Sequence, residues 1–329
     1  MKTIAFFNNK GGVGKTTLVY HFSHMLAELG YKCLAVDLDP QANLTSMFLS
    51  DDELAEIYGN EDFRPTIIEA IKPLDEATGD IAQAKIHKIT DKIGLLAGDL
   101  ELSMFEDKLS ENWGKCYDGD KAAFRITSAF YRIIYEAGKR MEADYCIIDI
   151  GPNFGAINRA TLIAADYVVV PMAADLFSLQ GLKNLGSRLE QWRKEWGRRK
   201  NENPPRDINL PSSNMQPLGY IVMQHGIKDT RPVKSYLKWT NRIPRIFREV
   251  VLKQTIENDI TVENDINCLA LLKHYHSLIP MAMEARKPIF LLKPAEGAIG
   301  AHLGAVRSAY LDFKSLTEKI ITLINTQKD

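Results

Sequence analysis

Cysteine is scarce in this chain of 329 residues, with four thiols at positions 33, 116, 146 and 268. They lack the short spacings of a metal cluster or a disulfide framework, which argues against a cross-linked secreted scaffold and for a reducing cytoplasm. Long apolar runs are missing too: none approaches the ~18 residues of a membrane span. The first strand-like segment begins almost at once, leaving no room for a secretion signal. Charge of one sign is also lacking. Lys plus Arg number 41 against 42 Asp plus Glu, a formal net charge of −1, so any contact with nucleic acid has to come from a local patch. There is no internal repeat and no low-complexity tract. With 45% hydrophobic and 25% charged residues, what remains is an ordinary globular protein. That length allows one large α/β domain with insertions, or two domains.

The most informative segment is Lys10-Gly11-Gly12-Val13-Gly14-Lys15-Thr16-Thr17, directly after the apolar run Ile4-Ala5-Phe6-Phe7. It reads as a phosphate-binding loop. A glycine-rich turn lets successive backbone N–H groups converge on phosphate oxygens, and the helix behind it adds its positive end. Lys15 is placed to reach the β- and γ-phosphates and Thr16 to meet Mg²⁺. The usual loop pattern has glycine at its first position. Here that residue is Asn9, and a second lysine, Lys10, follows.

The flanks supply the context that such a loop needs. Lys2–Phe7 is β-prone, Thr17–Leu29 has apolar residues at helical spacing, and Gly30 marks a stop. A second apolar strand, Cys33–Val36, runs into Asp37-Leu38-Asp39-Pro40-Gln41. Further strands are predicted at Ile93–Leu96, Tyr145–Asp149, Tyr167–Pro171 and Gly219–Met223. Helices are predicted within Ala42–Leu74, across Ser103–Arg140 with a break at Lys115–Asp120, at Leu179–Trp196 and at Ser315–Ile324. This alternation implies an α/β fold, a mostly parallel sheet flanked by helices, with ligands at the carboxyl ends of the strands. The loop, Asp37, Asp39 and Asp149 all fall there. Asp149 sits where an acid orders Mg²⁺ directly or through water. Asp39 is the candidate for orienting the attacking water, and Asp37 for a supporting place behind the metal. Capping a strand end or the next helix is the alternative for both.

Together these segments closely resemble the ParA family of deviant Walker ATPases, which also includes MinD-type proteins. The resemblance is carried by Lys10–Thr17, Val36–Gln41, Asp144–Gly155, Thr161–Pro171 and Gln180-Gly181-Leu182, and extends over the first ~190 residues. It implies a P-loop nucleoside triphosphatase that binds ATP with Mg²⁺ at Lys10, Gly11, Gly12, Val13, Gly14, Lys15, Thr16 and Thr17. Lys10 then corresponds to the lysine that crosses an ATP-sandwich homodimer to the partner's phosphates, so that hydrolysis depends on dimerisation. The family's Ile-Pro-Arg-Asn and Gly-Lys-Pro segments are replaced by Leu278–Met281 and Arg286–Ile289, after an unfamiliar stretch from Ile256 to His276. The adenine contacts therefore do not transfer, and Gln224 is the sequence candidate. Beside the family's minimal members the chain, as one domain over residues 1–329, is expected to carry extra material near 51–92, 197–216 and 254–278. The resemblance further implies a stimulating adaptor protein, nonspecific DNA binding, a nucleoid-associated cytoplasmic location, and the segregation or positioning of DNA or another cargo.

Basic residues crowd positions 228–253; the DNA candidates are Arg231, Lys234, Lys238, Arg242, Arg245 and Arg248. A second cluster is Arg193, Lys194, Arg198, Arg199 and Lys200. Such patches suit phosphate backbones, and a solvated helix face is the alternative. His21 and His24 read as packing or surface residues and His274-Tyr275-His276 as structural, for want of further ligands. The last predicted helix lacks the lysine-rich face of a membrane anchor. Two other functions stay open: an ATP-dependent dimeric switch of a membrane-associated or defence system, and a metabolic or redox member of the same superfamily.

Overall fold

The computed structural model describes residues 1–60, 63–224, 238–255, 260–275 and 277–326. Its strands are β1 (Lys2–Phe6), β2 (Cys33–Asp37), β3 (His87–Lys88), β4 (Ile93–Leu96), β5 (Tyr145–Asp149), β6 (Tyr167–Ala173), β7 (Gln216–Gln224) and β8 (Cys268–Lys273). They form one sheet in the order β3-β4-β2-β5-β1-β6-β7-β8. Every neighbouring pair is parallel except β3–β4. β2, β5 and β6 are buried at every position, as expected of strands covered on both faces.

Side-chain alternation divides the core into two layers. Ile4, Phe6, Ala35, Ile147 and Val169 face α1 (Lys15–Glu28), α2 (Asn43–Phe48), α3 (Asp51–Tyr58) and the last helix, Ala301–Thr326. Ala5, Phe7, Val36, Ile148 and Val170 face the opposite layer. That layer holds α4 (Ile67–Asp75), α5 (Phe105–Lys115), α6 (Lys121–Thr127), α7 (Ala129–Met141), α8 (Ala156–Ala164) and α9 (Leu176–Arg199). The predicted break at Lys115–Asp120 is a 3₁₀ turn, after which Asp120 caps α6 by accepting from the N–H groups of Ala122 and Ala123 at 2.8 and 3.1 Å.

The three stretches read as extra material have defined places. Residues 51–92 contribute α3, α4 and β3. Residues 197–216 hold the end of α9 and a loop tied back to it, with Trp196 Nε1 donating to the Pro211 carbonyl at 2.9 Å and Lys200 Nζ to that of Ser212 at 3.1 Å. The stretch 254–278 supplies edge strand β8, for which no strand was predicted. The last helix begins at Ala301 instead of Ser315 and packs Phe313, Leu316, Ile320 and Ile324 into the core, as its apolar stripe predicts. Helix α9 meets the π-helical turn Phe247–Val251 at Gly186, where a Cβ would stand 2.4 Å from the Val250 carbonyl oxygen.

Candidate functional site

Register alone brings the acids together. Phe6, Asp149 and Asp37 are side by side at the carboxyl ends of β1, β5 and β2. The loop leaving β1 then turns back over them. Gly12 and Gly14 adopt φ of 73° and 77°, a left-handed backbone that glycine takes without strain, which accounts for the spacing of these two residues. Gly14 is the residue before α1, and no side chain caps that helix. The first-turn N–H groups are thus left for an anion, and the helix dipole favours one. Gly11 and Gly12 are exposed, Val13 is buried, and Thr16 and Thr17 are half-buried. Buried Asn8 anchors the loop's start, donating to the Pro171 carbonyl at 2.6 Å while accepting from the Lys10 N–H at 3.0 Å.

Lys15 is 7% exposed. Burial lowers its pKa, while Asp149 and Asp39 pull it upward. Asp149 is fully buried, and neither carboxylate oxygen makes a hydrogen bond. Burial first, and the neighbouring Asp37 second, push its pKa up to about 8, with the nearby Thr16 hydroxyl, short of a formed hydrogen bond, and Lys15 opposing. A buried carboxylate with both oxygens unpartnered is costly unless a ligand completes it. Among the described residues no group of three or more His, Cys, Asp or Glu forms a ready metal site. A cation held beside Asp149 and the Thr16 hydroxyl would take its other ligands from phosphate and water, the arrangement Mg²⁺ favours.

Asp37 is differently employed. Its Oδ2 accepts from both the N–H and the hydroxyl of Thr45 at 2.8 Å, and its Oδ1 from the Asp39 N–H at 3.2 Å. Burial raises its pKa while the Thr45 bonds restrain the rise. It fastens α2 beneath the site. Asp39 is buried and gives one oxygen to the Gln41 N–H at 3.0 Å. Its other oxygen enters no hydrogen bond among the described residues.

An apolar cavity of about 120 Å³ opens beside the loop, with Gly12, Thr17 and His21 on one wall and Met223, Lys273 and Tyr275 on the other. A second, of about 420 Å³, shares Thr17 and His21 with it and extends between Met47 and Ile279. Their combined space is of the size that takes a small ligand. Sequence reasoning missed this wall because β8 was not foreseen; the run Cys268–Leu272 is the signal it offered. His21 is a packing residue, as predicted: Nδ1 lies 2.7 Å from the Thr17 carbonyl, Nε2 accepts from the Ile289 N–H at 3.1 Å, and the ring stacks on Phe313. Gln224 ends β7 next to Met223.

Lys10 lies over the start of α9, where its ammonium pairs with the Asp175 carboxylate. The basic residues of the second half divide. Lys238, Arg242 and Arg245 are exposed; the first two lie over the Trp239 ring and Arg245 pairs with Glu249. Arg248 is bound to buried Asp265, which also accepts from the Tyr220 hydroxyl at 2.8 Å. Arg231, Lys234 and His276 lie outside the described residues. In the other cluster Arg199 is buried between the Trp113 and Tyr117 rings, and Arg193 donates to the Asn214 and Met215 carbonyls.

The doubly covered parallel sheet, the glycine turn and the uncapped helix define a P-loop nucleotide-binding protein. A family model described as an AAA domain matches residues 1–202. The chain belongs to the ParA family of ATPases. It is 27% identical over 267 residues to an uncharacterized protein of Methanocaldococcus jannaschii, covering 80% of this chain and 87% of that one. It is 30% identical over 192 residues to the virulence plasmid ParA family protein pGP5-D of Chlamydia psittaci, covering 56% of this chain and 62% of that one. The crystal structure of protein DIP2308 from Corynebacterium diphtheriae shares the fold, with a TM-score of 0.74 at 22% identity, covering 99% of this chain and 100% of that one.

Proposed function

We propose that the protein is an ATP-gated ParA-type switch. It binds ATP with Mg²⁺, forms a sandwich homodimer, and hydrolyses ATP to ADP and phosphate. The observation that carries this reading is the buried, unpartnered Asp149 carboxylate beneath Lys15, Thr16 and the uncapped start of α1. In this reading Lys15 and the loop N–H groups hold the triphosphate, and the Thr16 hydroxyl and Asp149 hold the cation. Mg²⁺ supplies neutralisation of phosphate charge. Asp39 positions the attacking water, and Lys10 lends its charge to the partner's phosphates, as cations supplied in trans do in related chemistry. The apolar cavity between Thr17 and Tyr275 takes the base, and Gln224, at the end of β7, is the candidate for a base contact carried over from the sequence.

Nonspecific DNA is the proposed surface to which the dimer binds, through Lys238, Arg242 and Arg245, with Arg231 and Lys234 continuing the patch in sequence. An adaptor would stimulate hydrolysis and release the DNA, serving segregation or positioning of a cargo in a nucleoid-associated, cytoplasmic setting. Among the described residues no helix is long and apolar enough to cross a membrane. The four thiols are all buried, which favours this reading over a cysteine-ligated cluster at a dimer interface. Light scattering of Asp39→Ala with ATP and Mg²⁺ tests the dimer, and monomers at saturating nucleotide would end the reading. Mobility shifts with ATP or ADP test the DNA part separately.

A further inference from the structure

Between Asp149 and α8 the chain runs through Gly151, Pro152, Asn153, Phe154 and Gly155, and this loop lies on the site from a second side. A Cβ on Gly151 would stand 3.5 Å from Asp39 Oδ1, and one on Gly11 would stand 4.0 Å from Pro152 Cγ, so the loop touches both Asp39 and the phosphate loop. Its own sequence gives α8 no cap. Gly155 has no side chain to offer, and the first turn of α8 carries no acid. The cap comes instead from α5, 50 positions earlier: Glu106 accepts from the Ala156 N–H through Oε1 and from the Ile157 N–H through Oε2, the latter at 2.8 Å. A carboxylate suits the positive end of a helix. Buried Phe105 and Leu109 anchor the turn that carries Glu106, and a Cβ on Gly155 would collide with Glu106 Oε1, which is why a glycine stands there. From inside α8, buried Asn158 donates to the Gly151 and Asn153 carbonyls, each at 2.7 Å, so the loop and the helix start form one unit. Glu106 ties that unit to α5.

We propose that Glu106 is a positioning residue for hydrolysis: by closing the start of α8 from α5, it fixes the loop 151–155 against Asp39 and the phosphate loop. This rests on the ATPase reading above. It adds that the two bonds to Glu106 set where the loop stands when Asp39 orients the attacking water. Lys15, Thr16 and the N–H groups of the phosphate loop do not depend on that tether. Glu106 therefore acts on turnover and leaves ATP affinity to the other loop. Asn158 keeps the loop attached to α8 when Glu106 is removed, so the loop shifts with the helix start and does not unravel.

The test compares the full chain with Glu106→Ala and Glu106→Gln in ATP and Mg²⁺, by single-turnover phosphate release, ATP affinity and amide hydrogen exchange. Glu106→Ala should slow phosphate release by about tenfold to a hundredfold, as small misplacements near a reacting centre do, with ATP affinity within about threefold of the parent. Amides of residues 151–157 should exchange at least about tenfold faster, while those of 160–164 keep the parent's protection. Glu106→Gln retains the length of the side chain and one accepting oxygen, and should recover release to within about fivefold of the parent. Parent-like release from Glu106→Ala overturns the proposal. So does faster exchange along the whole of α8, or a loss of ATP affinity as large as the loss of rate, since either makes Glu106 a support for the fold alone. A parent that binds ATP and releases no phosphate overturns the hydrolysis reading itself, and this proposal with it.

Discussion

Lys15 and Arg248 are both cations drawn into the protein, and they meet their carboxylates in opposite ways. Arg248 donates through Nε and Nη2 to Asp265, whose side chain is 0% exposed, and Asp265 is also bonded to Tyr220 and Asn267. That network is complete. Lys15 lies in the field of Asp149, a carboxylate with no hydrogen bond on either oxygen. The first region spends its charges on holding β7, β8 and the turn Phe247–Val251 together. The second keeps them uncommitted, which is the condition for binding something from outside. A basic residue in a sequence is therefore a candidate for recognition only once its intramolecular partners are known.

The strongest way to break this comparison is to remove the uncommitted charges. Lys15→Ala should lower ATP hydrolysis by about a thousandfold, as expected for a group that meets transferring phosphate, with its urea unfolding midpoint close to that of the parent. Phosphate release and urea titration check both halves. A comparable loss of stability would mean that Lys15 belongs with Arg248 after all. Arg248→Ala should do the reverse, costing about 3–4 kcal/mol of unfolding free energy because Asp265 is left charged and buried. Urea unfolding measures it, and at temperatures where the variant is folded its ATP affinity should match the parent's.

Acidity sharpens the contrast further. The pKa of Asp149 is raised to about 8 in the folded chain, so the native state binds a proton that the unfolded chain releases near the ordinary carboxylate value. The stability from that retained proton is fully present below the unfolded value, is lost steadily as pH rises above it, and is gone once pH has passed the folded value. Nucleotide-free protein should accordingly lose on the order of 5 kcal/mol between roughly pH 4 and pH 8 from this group, and Asp149→Asn should flatten that slope. Unfolding curves across the range check it; an unaltered slope in Asp149→Asn would assign the uptake elsewhere. The smallest effects belong to the exposed cations. Lys238→Ala and Arg242→Ala should each weaken binding of the ATP state to duplex DNA by about threefold to tenfold, uniformly across sequences, and reduce the salt slope by about 1.

The loop half of the sheet was legible because each of its strands is an apolar run ending in a glycine turn or an acid, and side-chain period and turn chemistry agree there. Lys10–Thr17, Asp39 and Asp149 were placed by that agreement. The other half was less legible for physical reasons. Cys268–Lys273 follows a polar stretch, and its membership in the sheet depends on pairing with β7 and on the last helix, with Lys319 Nζ donating to the Cys268 carbonyl at 2.7 Å. The last helix hides its first turns because none of the eight residues from Ala301 to Ser308 is buried, so no apolar stripe announces them. The pairing of Lys10 with Asp175 spans 165 positions, and no local pattern encodes it. Arg199 shows the converse. It looks like one more solvated cation in a basic run and is instead sandwiched between two rings in the core.

The bare contact between Gly186 and Val250 bears on how α9 can move. At most helix crossings a change of tilt is absorbed by side chains that re-rotate. Here main chain touches main chain, with a Cβ excluded by an oxygen 2.4 Å away, and there is nothing soft between them. A side chain at position 186 would therefore press directly on the turn that carries Phe247 and Arg248, so the distance between α9 and that turn is set by the backbone itself.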